Sequence, residues 1–140
     1  MSDLQIYTSF VSVKNMKRCT ADLNLVPVFA MKKIFNSEII GIYSDTALHV
    51  FEFSPSNELY HSFIDGDIDM DGLHDELFDE LDYSLDLERF ISKLETMAKV
   101  SNASGVVIMT YGRDPRKGYR PILAEYLNNS GLLKKPVYEI

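Results

Sequence analysis

Val106-Val107-Ile108-Met109 is a short, unbroken apolar run, and it predicts a central strand buried on both faces. Its neighbours restrict the fold further. Before it, Asp86 to Val100 places Leu87, Phe90, Ile91, Leu94, Met97 and Ala98 at helical spacing on one face, with Ser84 or Asp86 as the cap. Ser101 to Gly105 ends that helix. After the strand, a loop from Tyr111 to Tyr119 leads to a helix at Arg120 to Asn129, where Pro121 suits the first turn and Gly131 the C-terminal cap. Pro136 to Ile140 reads as a last strand. Helix, strand, loop, helix, strand implies a right-handed crossover and parallel pairing. The expected class is α/β: a small, mainly parallel sheet with flanking helices in three layers.

The earlier part of the chain adds strands. Leu4 to Phe10 alternates apolar and polar residues, and Leu23 to Met31 is a second run, in which Pro27 belongs at an edge or a bulge. Lys14 to Cys19 suits a short helix or a turn. Ile39 to Tyr43 and Ala47 to Phe53 suggest a hairpin around Ser44-Asp45-Thr46, and Ser54 to Asn57 a turn. A short helix is expected at about Leu73 to Leu81.

Residues 65–88 hold eleven carboxylates and no Lys or Arg, while the other residues hold ten carboxylates against fourteen basic side chains. The net charge of −7 is thus an acidic insert carried by a mildly basic body, within one domain spanning 1–140. The field is local, so an anionic ligand is not excluded by the total. No apolar run approaches the roughly 20 residues that span a bilayer, and the first residues lack a secretory pattern. One cysteine, Cys19, fits a reducing compartment. A cytoplasmic protein without membrane contact is expected, with no cofactor; a homo-oligomer is left open.

The loop Tyr111-Gly112-Arg113-Asp114-Pro115-Arg116-Lys117-Gly118-Tyr119-Arg120 carries four basic residues and two glycines. It leaves the carboxyl end of a strand and enters a helix start, a place where backbone N–H groups and arginine forks favour phosphate or carboxylate. A solvated surface loop is the bland alternative. No phosphate-cradling glycine motif is present. Arg120, Arg113 and Arg116 are the candidate anion contacts, with Asp114 beside them. Tyr111 and Tyr119 would stack on a base or pack inside, and Thr8 or Ser9 would add hydroxyls from the first strand.

Tyr7-Thr8-Ser9, Val26-Pro27-Val28 and the run from Val107 to Leu127 resemble the family catalogued as domain of unknown function 488. That family shows Cys-x-Glu after a buried strand, Lys-Asp-Pro, Cys-His-Arg, and a helix resembling Leu-Leu-Ala-Glu-Tyr-Leu. Here Thr110 and Gly112 stand for the first pair, Gly118 and Tyr119 for the second, while Asp114, Pro115 and Arg120 keep the pattern. The resemblance implies an α/β fold and a site at this loop. It also implies that chemistry through thiol, carboxylate and imidazole has lost its groups.

Asp67-Ile68-Asp69-Met70-Asp71-Gly72 matches the opening of a calcium loop, making Asp67, Asp69 and Asp71 weak metal candidates. The twelfth position is Phe78 instead of Glu, so the match fails there. Leu73, Leu77, Phe78 and Leu81 form a stripe that would pack on the core or contact a basic protein partner. His49, His61 and His74 show no ligand spacing, and Cys19 has no evident base. The leading expectation is a non-catalytic protein that holds a small anionic, phosphorylated or nucleotide-like ligand, as an inhibitor or sequestering protein. The alternatives are a protein–protein module using residues 65–88, and a hydrolase- or glycosidase-type enzyme built on Thr110, Asp114 and Tyr119.

Overall fold

Five parallel strands form one sheet with the order β3-β2-β4-β1-β5, in a computed structural model that describes residues 1–32 and 47–140. The strands are β1 (Ile6–Phe10), β2 (Leu25–Phe29), β3 (Leu48–His49), β4 (Gly105–Thr110) and β5 (Tyr138–Glu139). The helices are α1 (Val13–Lys17), α2 (Asn57–Ile64), α3 (Met70–Ser84), α4 (Leu87–Val100) and α5 (Arg120–Asn128). The expected α/β class with a parallel sheet is what the chain forms. No helix among the described residues is long and apolar enough to cross a membrane.

β4 is the central strand and is buried throughout. Its side chains divide between two cores, as a period of two requires. Val106 and Ile108 join the larger core with Ile6, Val28, Leu77, Leu94 and Leu123. Val107 and Met109 join a smaller one with Met16, Cys19, Leu25 and Phe29. Gly105 starts the strand because a Cβ there would stand 2.5 Å from the Gln5 carbonyl oxygen. That carbonyl accepts the Val106 N–H.

Pro27 lies inside β2, in register with Val107. Pairing with β3 begins only at Val28, and the Phe29 carbonyl, on the same side as the Pro27 nitrogen, accepts from Val50. The missing donor therefore falls just ahead of the β3 ladder, which gives Pro27 the local edge it needs. Of the expected hairpin, residues 39–46 lie outside the described residues. Leu48 and His49 pair with β2 in parallel, and Phe51–Phe53 then turn into a short helix.

The helix expected at 86–100 runs from Leu87 to Val100, capped by the Asp86 carboxylate on the Arg89 N–H. It ends with Asn102 in the left-handed region, where Asn102 donates to Lys99 and Ala103 to Ala98, the pattern that closes a helix without glycine. The helix expected at 73–81 is longer, Met70–Ser84. A further helix, α2, follows the expected turn because Ser56 caps it on the Leu59 N–H.

Candidate functional site

Adjacent strands β1 and β4 send the chain in opposite directions, toward β2 and toward β5. A right-handed crossover then places their connections on opposite faces, which opens a crevice at the carboxyl ends. Here that crevice is filled. The Asn15 amide donates to Ser9 Oγ at 2.8 Å and to the Phe10 carbonyl at 2.7 Å, and its oxygen accepts from Arg18 Nε at 2.9 Å. The Arg113 guanidinium stands 5.6 Å above the Phe10 ring.

Open space lies one strand over, at the carboxyl ends of β2 and β4. A cleft of about 160 Å³ is bounded by Met31 and Lys32 after β2, by Tyr111 after β4, and by Tyr119 before α5. Pro55, Asn57, Tyr60 and His61 form the wall from α2 and its approach. The Tyr119 hydroxyl donates to the Ala30 carbonyl at 2.7 Å, and burial pushes its phenol far above the ordinary range. The Tyr60 ring meets Tyr119 edge-on, with centroids 5.9 Å apart. Lys32 Nζ donates to the Phe51 carbonyl at 2.7 Å, one of the three donors an ammonium carries. Partial burial lowers its pKa, and the Glu80 and Glu52 carboxylates oppose that shift.

Arg120 points away from this cleft and into the protein, where it is 1% exposed. Its guanidinium takes Glu139 in a forked pair, Nε to Oε1 at 3.0 Å and Nη2 to Oε2 at 2.9 Å. Nη1 donates to Thr110 Oγ1 at 3.0 Å and to the Gly112 carbonyl at 2.7 Å, and shares longer bonds with the carbonyls of Thr110 and Tyr111. Nη2 also reaches the Arg113 carbonyl at 3.4 Å. Thr8 Oγ1 donates to Glu139 Oε1 at 2.7 Å. The residue expected to meet a ligand anion meets an anion of the protein itself.

The other expected site residues separate. Tyr111 and Tyr119 share the cleft, whereas Thr8 belongs to the Arg120 cluster. Ser9 lies on the other face, donating to the Ile140 carbonyl at 3.0 Å. Arg116 is exposed and held by Asp114, whose Oδ1 accepts the Arg116 backbone N–H at 3.0 Å and side-chain Nε at 3.1 Å. That bond keeps the Asp114 carboxyl below its usual range. The short turn after Asp114 thus has its own anion. Pro121, within the first turn of α5, removes a backbone donor that a bound anion would use. Thr110, Asp114 and Tyr119 each serve a different partner, so the catalytic grouping expected from them does not form.

The acidic stretch is corrected in its metal reading. Asp69 caps α3 through the Gly72 N–H at 2.9 Å. Gly72 is helical, not a left-handed turn glycine, so the Asp67-Asp69-Asp71 run starts a helix and not a calcium loop. Among the described residues no three His, Cys, Asp or Glu side chains converge as a metal site would. Leu73, Leu77 and Leu81 are in the main core, the first of the two places expected for the stripe. Within 65–88, Met70–Ser84 is a helix packed on the main core, and Asp86 caps the next one.

Four residues of these two places escape a reading of the chain by motif: Lys32, Tyr60, His61 and Glu139. None of the four carries a motif; Glu139 merely falls in the expected last strand, where it and Tyr138 are both exposed. Searches against protein-family models, curated proteins and solved structures find no match to this chain.

Proposed function

We propose that the protein binds a small, planar, anionic ligand in the β2–β4 cleft and does not transform it. The ring inserts among Tyr60, Tyr111 and Tyr119, and the negative group meets the Lys32 ammonium. The observation that carries this reading is the cleft's composition: three tyrosines and one lysine at the ligand-binding end of a parallel sheet. A cavity of about 150 Å³ accommodates a benzene ring, so this one takes a single ring or base while any attached sugar or phosphate projects outward. A nucleotide-like ligand is thereby kept, but its anion is assigned to Lys32 in place of Arg113, Arg116 and Arg120.

Support for binding without turnover comes from the titratable groups. Tyr119 is committed to Ala30, and its raised pKa leaves it protonated at neutral pH. His61 is exposed and makes no side-chain hydrogen bond among the described residues. Among the described residues no carboxylate orients it as a base.

Calorimetric titration with benzoate, adenosine monophosphate and inorganic phosphate tests the reading. Benzoate and the nucleotide should bind and phosphate alone should not. Lys32→Met should weaken binding by about tenfold, as expected for loss of one charge-assisted contact. Absence of binding by all three probes, or equal affinity in Lys32→Met, would reject it.

A further inference from the structure

Arg120 is a buried charge outside the cleft, and it donates to the segment from which Tyr111 projects. Four consecutive carbonyls, those of residues 110 to 113, turn toward one guanidinium. Carbonyls do not converge in this way without a cation, because their dipoles repel. The turn that permits it places Gly112 at φ +91°, and nothing else in the described residues holds the Gly112 carbonyl. The charge is then balanced from a distant part of the chain: Glu139 on β5, itself fixed by Thr8 on β1.

We propose that Arg120 and Glu139 are positioning residues for the cleft, and that the pair sets where the Tyr111 ring stands. β5 joins the sheet at Tyr138 on Tyr7 and Glu139 on Thr8, with the Ile140 N–H donating to the Thr8 carbonyl and Ser9 Oγ to the Ile140 carbonyl. The last strand is therefore a lever on the cleft: when Glu139 is withdrawn, the guanidinium loses its counter-charge, the carbonyls lose their anchor, and Tyr111 leaves its place. A lysine does not substitute, because a point ammonium cannot serve a carboxylate on one side and a row of carbonyls on the other. The effect on affinity rests on the binding reading above; the effect on the position of Tyr111 does not.

The test uses the full chain labelled with 3-fluorotyrosine, the Tyr111 resonance being assigned by its loss in Tyr111→Phe. In Arg120→Lys that resonance should move toward the position of Tyr83, which is 95% exposed, and benzoate affinity should fall about tenfold. Glu139→Gln should move it in the same direction by less. In Glu139→Ala, added acetate should return it toward the parent position while chloride at equal ionic strength should not, since only a carboxylate matches the guanidinium fork. Acetate rescue is a response that general loosening of the structure would not give. An unmoved Tyr111 resonance in a folded Arg120→Lys or Glu139→Gln chain overturns the proposal, as does a Glu139→Ala chain indifferent to acetate. Should Arg120→Lys fail to fold, the two Glu139 variants decide. Should the parent bind no benzoate, the binding reading fails alone, and the fluorine spectra still decide the positioning role.

Discussion

The acidic helix α3 and the basic loop 111–120 stand out equally in the chain, and folding treats them in opposite ways. In α3 the apolar side chains go inside and the carboxylates stay wet; Leu73, Leu77 and Leu81 are at most 1% exposed. In the loop a charge goes inside, Arg120, while Arg113, Arg116 and Lys117 stay out. The difference lies in the available partners. Among the described residues no α3 carboxylate has a buried cation beside it, so burial would leave it unpaired at a cost of several kcal/mol. Arg120 has a carboxylate and four carbonyls within reach, so burial exchanges water for fixed partners. Charge type therefore does not decide which region forms an interior; the counter-charge supplied by another strand does.

The contrast can be broken most strongly at Arg120. Arg120→Ala should destabilise the fold by about 3–5 kcal/mol, since several inward carbonyls lose their donor at about 1–3 kcal/mol each, measured by chemical denaturation. A loss below about 1 kcal/mol would mean that the pair is nearly balanced by its desolvation cost. Leu77→Ala in α3 should cost about 2–5 kcal/mol, as a fully buried leucine does. It would also show that the acidic segment belongs to the core and cannot be deleted without unfolding the chain. Asp86→Ala should cost about 1 kcal/mol through loss of the helix cap. Asp114→Asn, on an exposed turn, should leave the melting temperature unchanged.

His74 sharpens the same comparison through pH. It lies between Asp75 at 3.1 Å and Glu125 of α5 at 2.8 Å, with its ring stacked on Phe78. The hydrogen bond that His74 donates to Asp75 raises its pKa most, partial burial opposes this, and Glu125 adds to the rise. A raised folded-state pKa stabilises when the imidazole is charged. The contribution is full below the ordinary histidine value and is lost as pH rises through the higher folded value. Melting temperatures of parent and His74→Gln should therefore differ more at pH 6 than at pH 8. A difference independent of pH would assign the residue to packing on Phe78 alone.

Much of the frame was legible locally. β4 declared itself as an apolar run, α4 as a periodic stripe with a cap, and the crossover followed from their order. The length of α3 was less so, because Met70 to Gly72 resembles a metal loop until Asp69 is seen accepting a helix N–H. The two-residue β3 and β5 carry too little pattern to bound. The site was the least legible part. Tyr111 and Tyr119 could be named from the loop, but Lys32, Tyr60 and His61 come from separate segments that meet only when β2, β4 and α2 are packed.

The sequence alone determines the α/β order, the strand buried on both faces and the chemical character of the 111–120 loop. All of these depend on neighbours within a few residues, where sterics, hydrogen bonding and periodic burial act directly. Tertiary structure alone decides that Arg120 is sealed by Glu139, 19 residues further along the chain, and that the open space lies between β2 and β4. Those outcomes depend on which distant groups arrive beside a charge, and a buried ion is settled only by the partner that replaces its water.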